Sequence, residues 1–373
     1  MNILHICNDY SYSKVYKELY QEIDKRHICQ FIYHPLRSKK NIGINQFEFI
    51  TPSSKLIYSN FLIKKTDRIF FHLKTNKIYN DLVKQVNVNQ INVCYPTTLF
   101  SDGVIAFKLF KDYGIPYVVS VRNTDVNLFL KYRRDLIPLM NKILNNASKI
   151  IFISEGLKNL FFNKKQLKKH KQNFLNKSIL INNGINKFWF DNLYELNKNI
   201  KTKNLLFVGK FDKNKNLETL IKAIERLKEN HKEIKLTVVG REGNNSRKIH
   251  ELFNKHKSWI TNLGYINDLN ELKEIYRKND YFVMPSKLET FGLVYIEALT
   301  QGLPILYTKN QGIDGLFCEK IGVPTYPHES SIEENLYSLL NTKSFEIHKV
   351  DFTKFSWEKI CLDILKILHN YKK

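Results

Sequence analysis

The sequence has little that would carry it into or across a bilayer. Nowhere in its 373 residues does an apolar run reach the ~18 that a spanning helix needs. The start, MNILHICNDY, has no basic leader, and its short apolar stretch reads as a first strand, not a signal peptide. Cysteine is scarce: Cys7, Cys29, Cys94, Cys318 and Cys361 are scattered, with no CxxC pair. That argues for a reducing cytoplasm and against a structural zinc. His5, His72, His170 and the other histidines show no HExxH spacing, and no DxD-type diphosphate–metal motif occurs. Without a GxSxG elbow a serine hydrolase is disfavoured. The first turn, NDYSYSK, holds no glycine, so GxGxxG is absent and an NAD-linked oxidoreductase is disfavoured too. No internal repeat is evident.

What is present is a globular composition, 43% hydrophobic and 25% charged, in a chain long enough for two domains. The net charge of +23 is uneven. Residues 1–200 hold 31 Lys+Arg against 14 Asp+Glu, a net +17, and the remainder holds only +6. Codon bias explains the excess of lysine (49, against 10 arginines) but not its placement. An anionic membrane surface or an anionic acceptor are the partners this asymmetry suggests. Nucleic acid is not, because no recognition signature accompanies the charge.

Along the first half, strand-like runs at 2–7, 28–33, 91–95, 117–121, 150–153 and 179–181 alternate with helical patterns, clearest at 15–23, 78–86 and 103–110. Alternation at this spacing predicts parallel βαβ units in a doubly wound sheet. Asn183-Gly184 ends the last strand, and the polar stretch 186–203 reads as an interdomain connection. The second half continues with strands at 204–208, 234–239, 260–263 and 281–284, each delivering a Gly or Pro to its carboxyl end, where clefts in open α/β sheets lie. An amphipathic helix is expected from Phe355 through Leu368.

The most informative stretch is 279–303, NDYFVMPSKLETFGLVYIEALTQGL. A short buried strand stops at Pro285-Ser286. Glu289, Phe291 and Gly292 then lead into a helical pattern from Leu293 to Leu299. The N-terminus of such a helix carries roughly +0.5 elementary charge and suits a phosphate. Gly292 would let a diphosphate approach the bare backbone. Glu289 and Glu297 flank that anion site, and carboxylates there suit sugar hydroxyls. Strand–loop–helix units with a solvated helical Glu are also ordinary in α/β proteins.

Glu289-x7-Glu297 with Phe291-Gly292 inside it resembles the donor-site motif of the retaining family 4 glycosyltransferases, the glycosyl transferases group 1. Pro285-Ser286 before it, Gly302-x-Pro304 after it and INNGINKF ahead of the linker fit the same pattern. The resemblance implies the GT-B fold: two facing Rossmann-like doubly wound domains and a C-terminal helix that crosses back. The domains expected are 1–190 for the acceptor, 200–350 for the nucleotide-sugar donor, and 351–373 as the crossover tail. It further implies that Glu289 and the backbone at Phe291, Gly292 and Leu293 hold the donor sugar and diphosphate, and that Glu297 holds the ribose. GKFDKNKN matches the family's Gly-(Arg/Lys)-x4-Lys pattern. Gly209, Lys210 and Lys215 are therefore expected at the diphosphate, where two ammonium groups stabilise the leaving group without metal. Gly240-Arg241 and Gly264, with Tyr265 or Ile266, are expected to wall the nucleotide.

In VVSVRNTDVNLF the sequence departs from the family. Relatives often carry His-Gly here, facing the transferred sugar. This chain has Arg122-Asn123 and then Asp125, so a histidine role does not carry over. Arg122 is the candidate for an anionic acceptor or donor phosphate, and Asp125 for holding Arg122 or an acceptor hydroxyl. An Arg–Asp pair that only orders the loop is the structural alternative.

The expectation is a retaining, metal-independent and cofactor-free hexosyltransferase, UDP-sugar favoured, with a glycan or lipid-linked acceptor in bacterial surface polysaccharide or glycolipid synthesis. The rivals are a nucleotide-sugar hydrolase or epimerase on the same fold, and a non-catalytic glycan- or membrane-binding module. The enzyme is expected in the cytoplasm, peripheral on the inner face of the plasma membrane. Two basic apolar stretches are the candidates for that face: Leu157–Leu175, with Leu157, Leu160, Phe161, Leu167 and Phe174 at helical spacing among lysines, and Lys55–Lys84. Apolar residues packed on the sheet beneath merely solvated lysines are the structural alternative.

Overall fold

Apolar runs without polar alternation suit strands covered on both faces, as parallel sheets require. A computed structural model of the chain, describing residues 1–194 and 202–371, has such strands at its centre. In the first unit β1 (Asn2–Ile6), β2 (Cys29–Leu36), β3 (Lys55–Leu62), β4 (Val93–Pro96), β5 (Val118–Val121), β6 (Lys149–Phe152) and β7 (Ser178–Leu180) all pair in parallel. The order is β3-β2-β1-β4, continued by β5-β6-β7 through a parallel bridge between Cys94 and Tyr117. Pro35 has no N–H for the ladder, and the β2–β3 register shifts between His34 and Leu36.

The second unit repeats the plan. Its strands β8 (Asn204–Val208), β9 (Lys235–Val239), β10 (Ile260–Asn262), β11 (Tyr281–Val283), β12 (Ile305–Thr308) and β13 (Gly322–Thr325) run in the order β10-β9-β8-β11-β12-β13, again all parallel. Renumbered from its own first strand, the second sheet reads 3-2-1-4-5-6, and the first reads the same with a seventh strand added at the end. This is the doubly wound order in which ligands sit at the carboxyl ends of strands 1 and 4.

The first unit comprises Met1–Ile153, Leu157–Gly184 and Trp357–Lys373, and the second Ser154–Gly156 and Ile185–Ser356. The helix Trp357–Leu368 buries Trp357, Ile360, Cys361, Ile364, Leu365 and Leu368, a full i, i+3, i+4 stripe, in one cluster with Ile3, Tyr16, Leu19 and Ile32. The C-terminal helix is thus part of the first unit's core. The stretch expected as a connection is only partly open chain: Lys187–Asp191 is a helical turn of the second unit, and residues 195–201 lie outside the described residues. Among the described residues no helix is long and apolar enough to cross a membrane.

Two sequence expectations for the basic stretches change. Leu157–Leu175 is not one amphipathic helix with an apolar face to solvent. It breaks into Glu155–Phe162, a 3-10 segment at Lys165–His170 and Lys171–Lys177. Leu157, Phe161, Leu167 and Phe174 are all buried. The apolar spacing there is a core stripe, and the lysines are its solvated side. Of the second stretch, Lys55–Leu62 is strand β3 at the edge of the sheet. Leu62 at its end and Ile69, Phe70 and Leu73 beyond it are exposed.

Candidate functional site

In the second unit the carboxyl ends of β8 and β11 carry Gly209-Lys210 and Pro285-Ser286. The loop after β11 is held from several sides. Asn216, in a left-handed conformation ahead of the helix Leu217–Leu227, donates from Nδ2 to the carbonyls of Pro285 and Pro327, both at 3.0 Å. The Thr308 hydroxyl at the end of β12 donates to the Ser286 carbonyl at 2.6 Å. Gln311 accepts the Glu289 amide at 2.7 Å, and the Gly312 amide donates to the Glu289 carbonyl at 3.1 Å. None of Asn216, Gln311 or Gly312 carried a sequence signal, because each acts on main chain far away in the sequence.

That scaffold sets Glu289 against Lys215. The Lys215 ammonium lies 2.7 Å from Glu289 Oε2, with the two side chains 24% and 10% exposed. Glu289 Oε1 accepts its neighbour's amide, that of Thr290, at 3.1 Å. An ammonium has three donors, so Lys215 keeps N–H capacity beyond this pair. Asp212 Oδ1 takes the amides of Asn214 and Lys215 at 3.1 and 2.9 Å and shapes the GKFDKNKN loop. Lys210 is exposed at the same strand end.

Gly292 caps the helix Leu293–Thr300 with φ of +81°, and a Cβ there would run into the Tyr295 ring. Glycine is required by this turn itself, before any ligand is considered. Phe291 is buried and Leu293 half-buried at the helix entry. Gly240 ends β9 against the Gly209 carbonyl, where a side chain has no room, and its amide donates to the Gly264 carbonyl at 2.8 Å. These contacts bring the three glycine loops to one edge of the sheet. Arg241 and Tyr265 are exposed there, and Ile266 is half-buried.

Glu297 lies a turn and a half along the helix. Its carboxylate accepts from the Tyr276 hydroxyl at 3.4 Å and faces the Trp189 side chain. Burial pushes its pKa up to about 7, against the lowering effect of these two donors. Trp189 meets Tyr276 edge-on at 5.4 Å between ring centroids, so an aromatic pair from two distant segments fixes this carboxylate.

In the first unit, Asp125 does not hold the Arg122 guanidinium, one of the roles the sequence suggested, but holds main chain. It is fully buried, and its oxygens accept the main-chain amides of Leu99, Phe100 and Arg122 at 3.0, 3.1 and 2.8 Å. Burial still raises its pKa to about 6 despite those bonds. Asp125 therefore positions the loops after β4 and β5. The Arg122 guanidinium instead donates to the Thr97 carbonyl and to Asn183 Oδ1, both at 3.2 Å, and stands over the Tyr16 ring. A second buried carboxylate, Asp102, accepts the hydroxyls of Thr97 and Thr98 at 2.8 and 2.9 Å. Burial lifts its pKa to about 7.

Residues 191–354 match the family model described as glycosyl transferases group 1. The chain is 27% identical over 319 residues to an uncharacterized glycosyltransferase of Methanocaldococcus jannaschii, covering 82% of each. Among solved structures it is similar to sucrose-phosphate synthase of Thermosynechococcus elongatus, with a TM-score of 0.76 at 17% identity over 99% of this chain and 98% of that one. It is also similar to Anabaena HepE solved in complex with UDP, with a TM-score of 0.73 at 14% identity over 99% and 100% of the two chains. The second unit thus resembles the group 1 glycosyltransferases over residues 191–354, and the whole chain has the GT-B fold of the solved structures it matches.

Proposed function

We propose that the chain is a retaining, metal-independent hexosyltransferase that uses a nucleotide diphosphate sugar, with UDP-sugar favoured. The observation that carries this reading is the Lys215–Glu289 pair beside the helix Leu293–Thr300, at the strand ends where a doubly wound sheet takes ligands. The helix N-terminus and the ammonium groups of Lys210 and Lys215 bear on the diphosphate and stabilise the charge that develops as it leaves. Glu289 accepts from hydroxyls of the donor sugar. Glu297, oriented by Tyr276 and Trp189, accepts from the ribose. Gly240, Arg241, Gly264, Tyr265 and Ile266 wall the nucleotide. UDP is favoured because HepE, which shares the fold, was solved with UDP.

The acceptor, a glycan or lipid-linked hydroxyl in surface polysaccharide or glycolipid synthesis, is assigned to the first unit. There Arg122 orders the strand ends through Thr97 and Asn183. The enzyme works from the cytoplasmic side, peripheral to the membrane.

The test is a thermal-shift panel of UDP, GDP and ADP, followed by product analysis by NMR with and without a chelator. UDP should raise Tm, and transfer from an α-linked donor should give an α-linked product in chelator. Inversion at the anomeric carbon or a strict metal requirement overturns the mechanism. Absence of any nucleotide-induced shift overturns the reading altogether.

A further inference from the structure

The first unit has a cavity of about 760 Å³ that the donor chemistry does not use. It lies where the fold puts ligands, because its lining comes from residues just past the carboxyl ends of five parallel strands. Asn8 and Asp9 follow β1, Arg37 follows β2, Ile63 and Lys64 follow β3, Thr98 follows β4, and Thr124 follows β5.

Its chemistry has two halves. Four cations line it, Arg37, Lys64, Lys74 and Arg133, against two carboxylates, Asp9 and Asp125. Asp125 is already occupied by three main-chain amides, and Asp9 pairs with Arg37 at 2.8 Å. Arg133 is held by Asp135 at 2.7 Å. Lys74 is different: among the described residues it makes no ion pair, and its ammonium stands 5.0 Å from the centre of the Phe71 ring. The Arg133 guanidinium stands over that same ring at 5.7 Å. Burial holds the Lys74 ammonium below the usual lysine range, so an anion arriving there would offset its desolvation.

The other half is apolar and opens to solvent. Leu128 and Tyr132, both lining residues, are 52% and 64% exposed. Phe129 stacks on Phe100 at 4.7 Å and meets Phe71 at 5.8 Å. Beside the lining residues in sequence, Ile69, Phe70 and Leu73 are exposed as well. A soluble sugar phosphate needs the cations but has no use for this apolar mouth.

We propose that this cavity binds an anionic amphiphile: a phosphate headgroup between Arg37, Lys74 and Arg133, its apolar chain leaving over Phe129, Leu128 and Tyr132. Given the glycosyltransferase reading, on which this part rests, the ligand is the acceptor and the class is lipid-linked phosphate. Asn8, Thr98 and Ser101 line the same cavity and would then meet a hydroxyl carried by the acceptor's headgroup.

The experiment is calorimetric titration of the full chain with n-decyl phosphate below its micelle concentration. Glycerol 3-phosphate serves as charge without chain, and decyl glucoside as chain without charge. Decyl phosphate should bind at least tenfold more tightly than either. Lys74→Gln should weaken it tenfold or more, and Leu128→Ser several-fold, with UDP binding and Tm unchanged as evidence of folding. Equal binding of glycerol 3-phosphate assigns the site to soluble phosphates and overturns the proposal. No saturation by decyl phosphate, or full affinity in Lys74→Gln, overturns it too. If UDP fails to bind while decyl phosphate binds as expected, the glycosyltransferase reading falls and the amphiphile site stands.

Discussion

The two units share a strand order and put their ligand-ready edges at equivalent places, yet they build those edges differently. In the second unit the charged pair is closed: Lys215 meets Glu289 at 2.7 Å, and the loop beneath is fixed by Asn216, Thr308 and Gln311. In the first, Lys74 has a ring beneath it and no ion pair among the described residues, with Asp102 and Asp67 acting on it only at longer range, while the buried acids Asp102 and Asp125 hold loops. A preorganised pair suits a step in which charge must be stabilised as it forms. An unpaired cation in a cavity suits binding, because the ligand itself supplies the counter-charge.

The largest effect that would sharpen this contrast is on turnover. Glu289→Ala should lower kcat by about 10²–10³-fold, the loss typical of one preorganised electrostatic contact, while leaving UDP affinity nearly intact. Steady-state transfer rates beside UDP titrations check it. A large loss of UDP affinity with normal kcat would mean that Glu289 serves only binding.

Asp125→Ala should act on stability in the first unit. It strips three buried amides of their acceptor, at a cost of about 2–3 kcal/mol. Urea denaturation reads this directly. A wild-type midpoint would break the assignment of Asp125 to loop positioning.

Glu297 adds a pH dependence to the second unit. Its folded pKa of about 7 lies above its ordinary value of 4.5. The ionised carboxylate therefore opposes folding above pH 7, and that opposition fades as pH falls from 7 towards 4.5. Glu297→Gln has no proton to lose. It should be more stable than wild type at pH 8 by about 1–3 kcal/mol and lose that advantage near pH 4.5. A gap independent of pH would show that Tyr276 and Trp189 respond to side-chain shape, not charge.

The smallest effect is expected where the sequence looked most suggestive. Neutralising Lys164, Lys165, Lys168 and Lys169 together should change stability by no more than about 0.5 kcal/mol, and binding to anionic vesicles very little. The apolar partners of those lysines are buried. A clear loss in vesicle co-sedimentation would return that face to consideration.

Sequence reading was strongest where chemistry and chain are local. The parallel α/β class was legible from runs such as Asn2–Ile6 and Lys235–Val239, because strands buried on both faces must be apolar without alternation. The C-terminal helix was legible from the 357, 360, 361, 364 stripe. The strand Lys55–Leu62 was missed because it is an edge strand with lysine at its start and mixed burial, a pattern equally compatible with a basic surface segment. Periodicity also misled at Leu157–Phe174, since a 3.6-residue stripe says that one face is covered but not whether protein or lipid covers it.

By itself, then, the sequence determined the element types and the strand–loop–helix around Glu289, because hydrogen-bonded geometry over ten residues leaves few choices to an apolar run, a glycine at positive φ and a helix start. Only the tertiary structure decided which distant side chains meet. Lys215 reaches Glu289 across 74 positions, Asp125 reaches Leu99 across 26, and the lining of the first unit's cavity is gathered from five strand ends. Those meetings follow from strand order, which the pairing of whole sheets selects and no local spacing encodes.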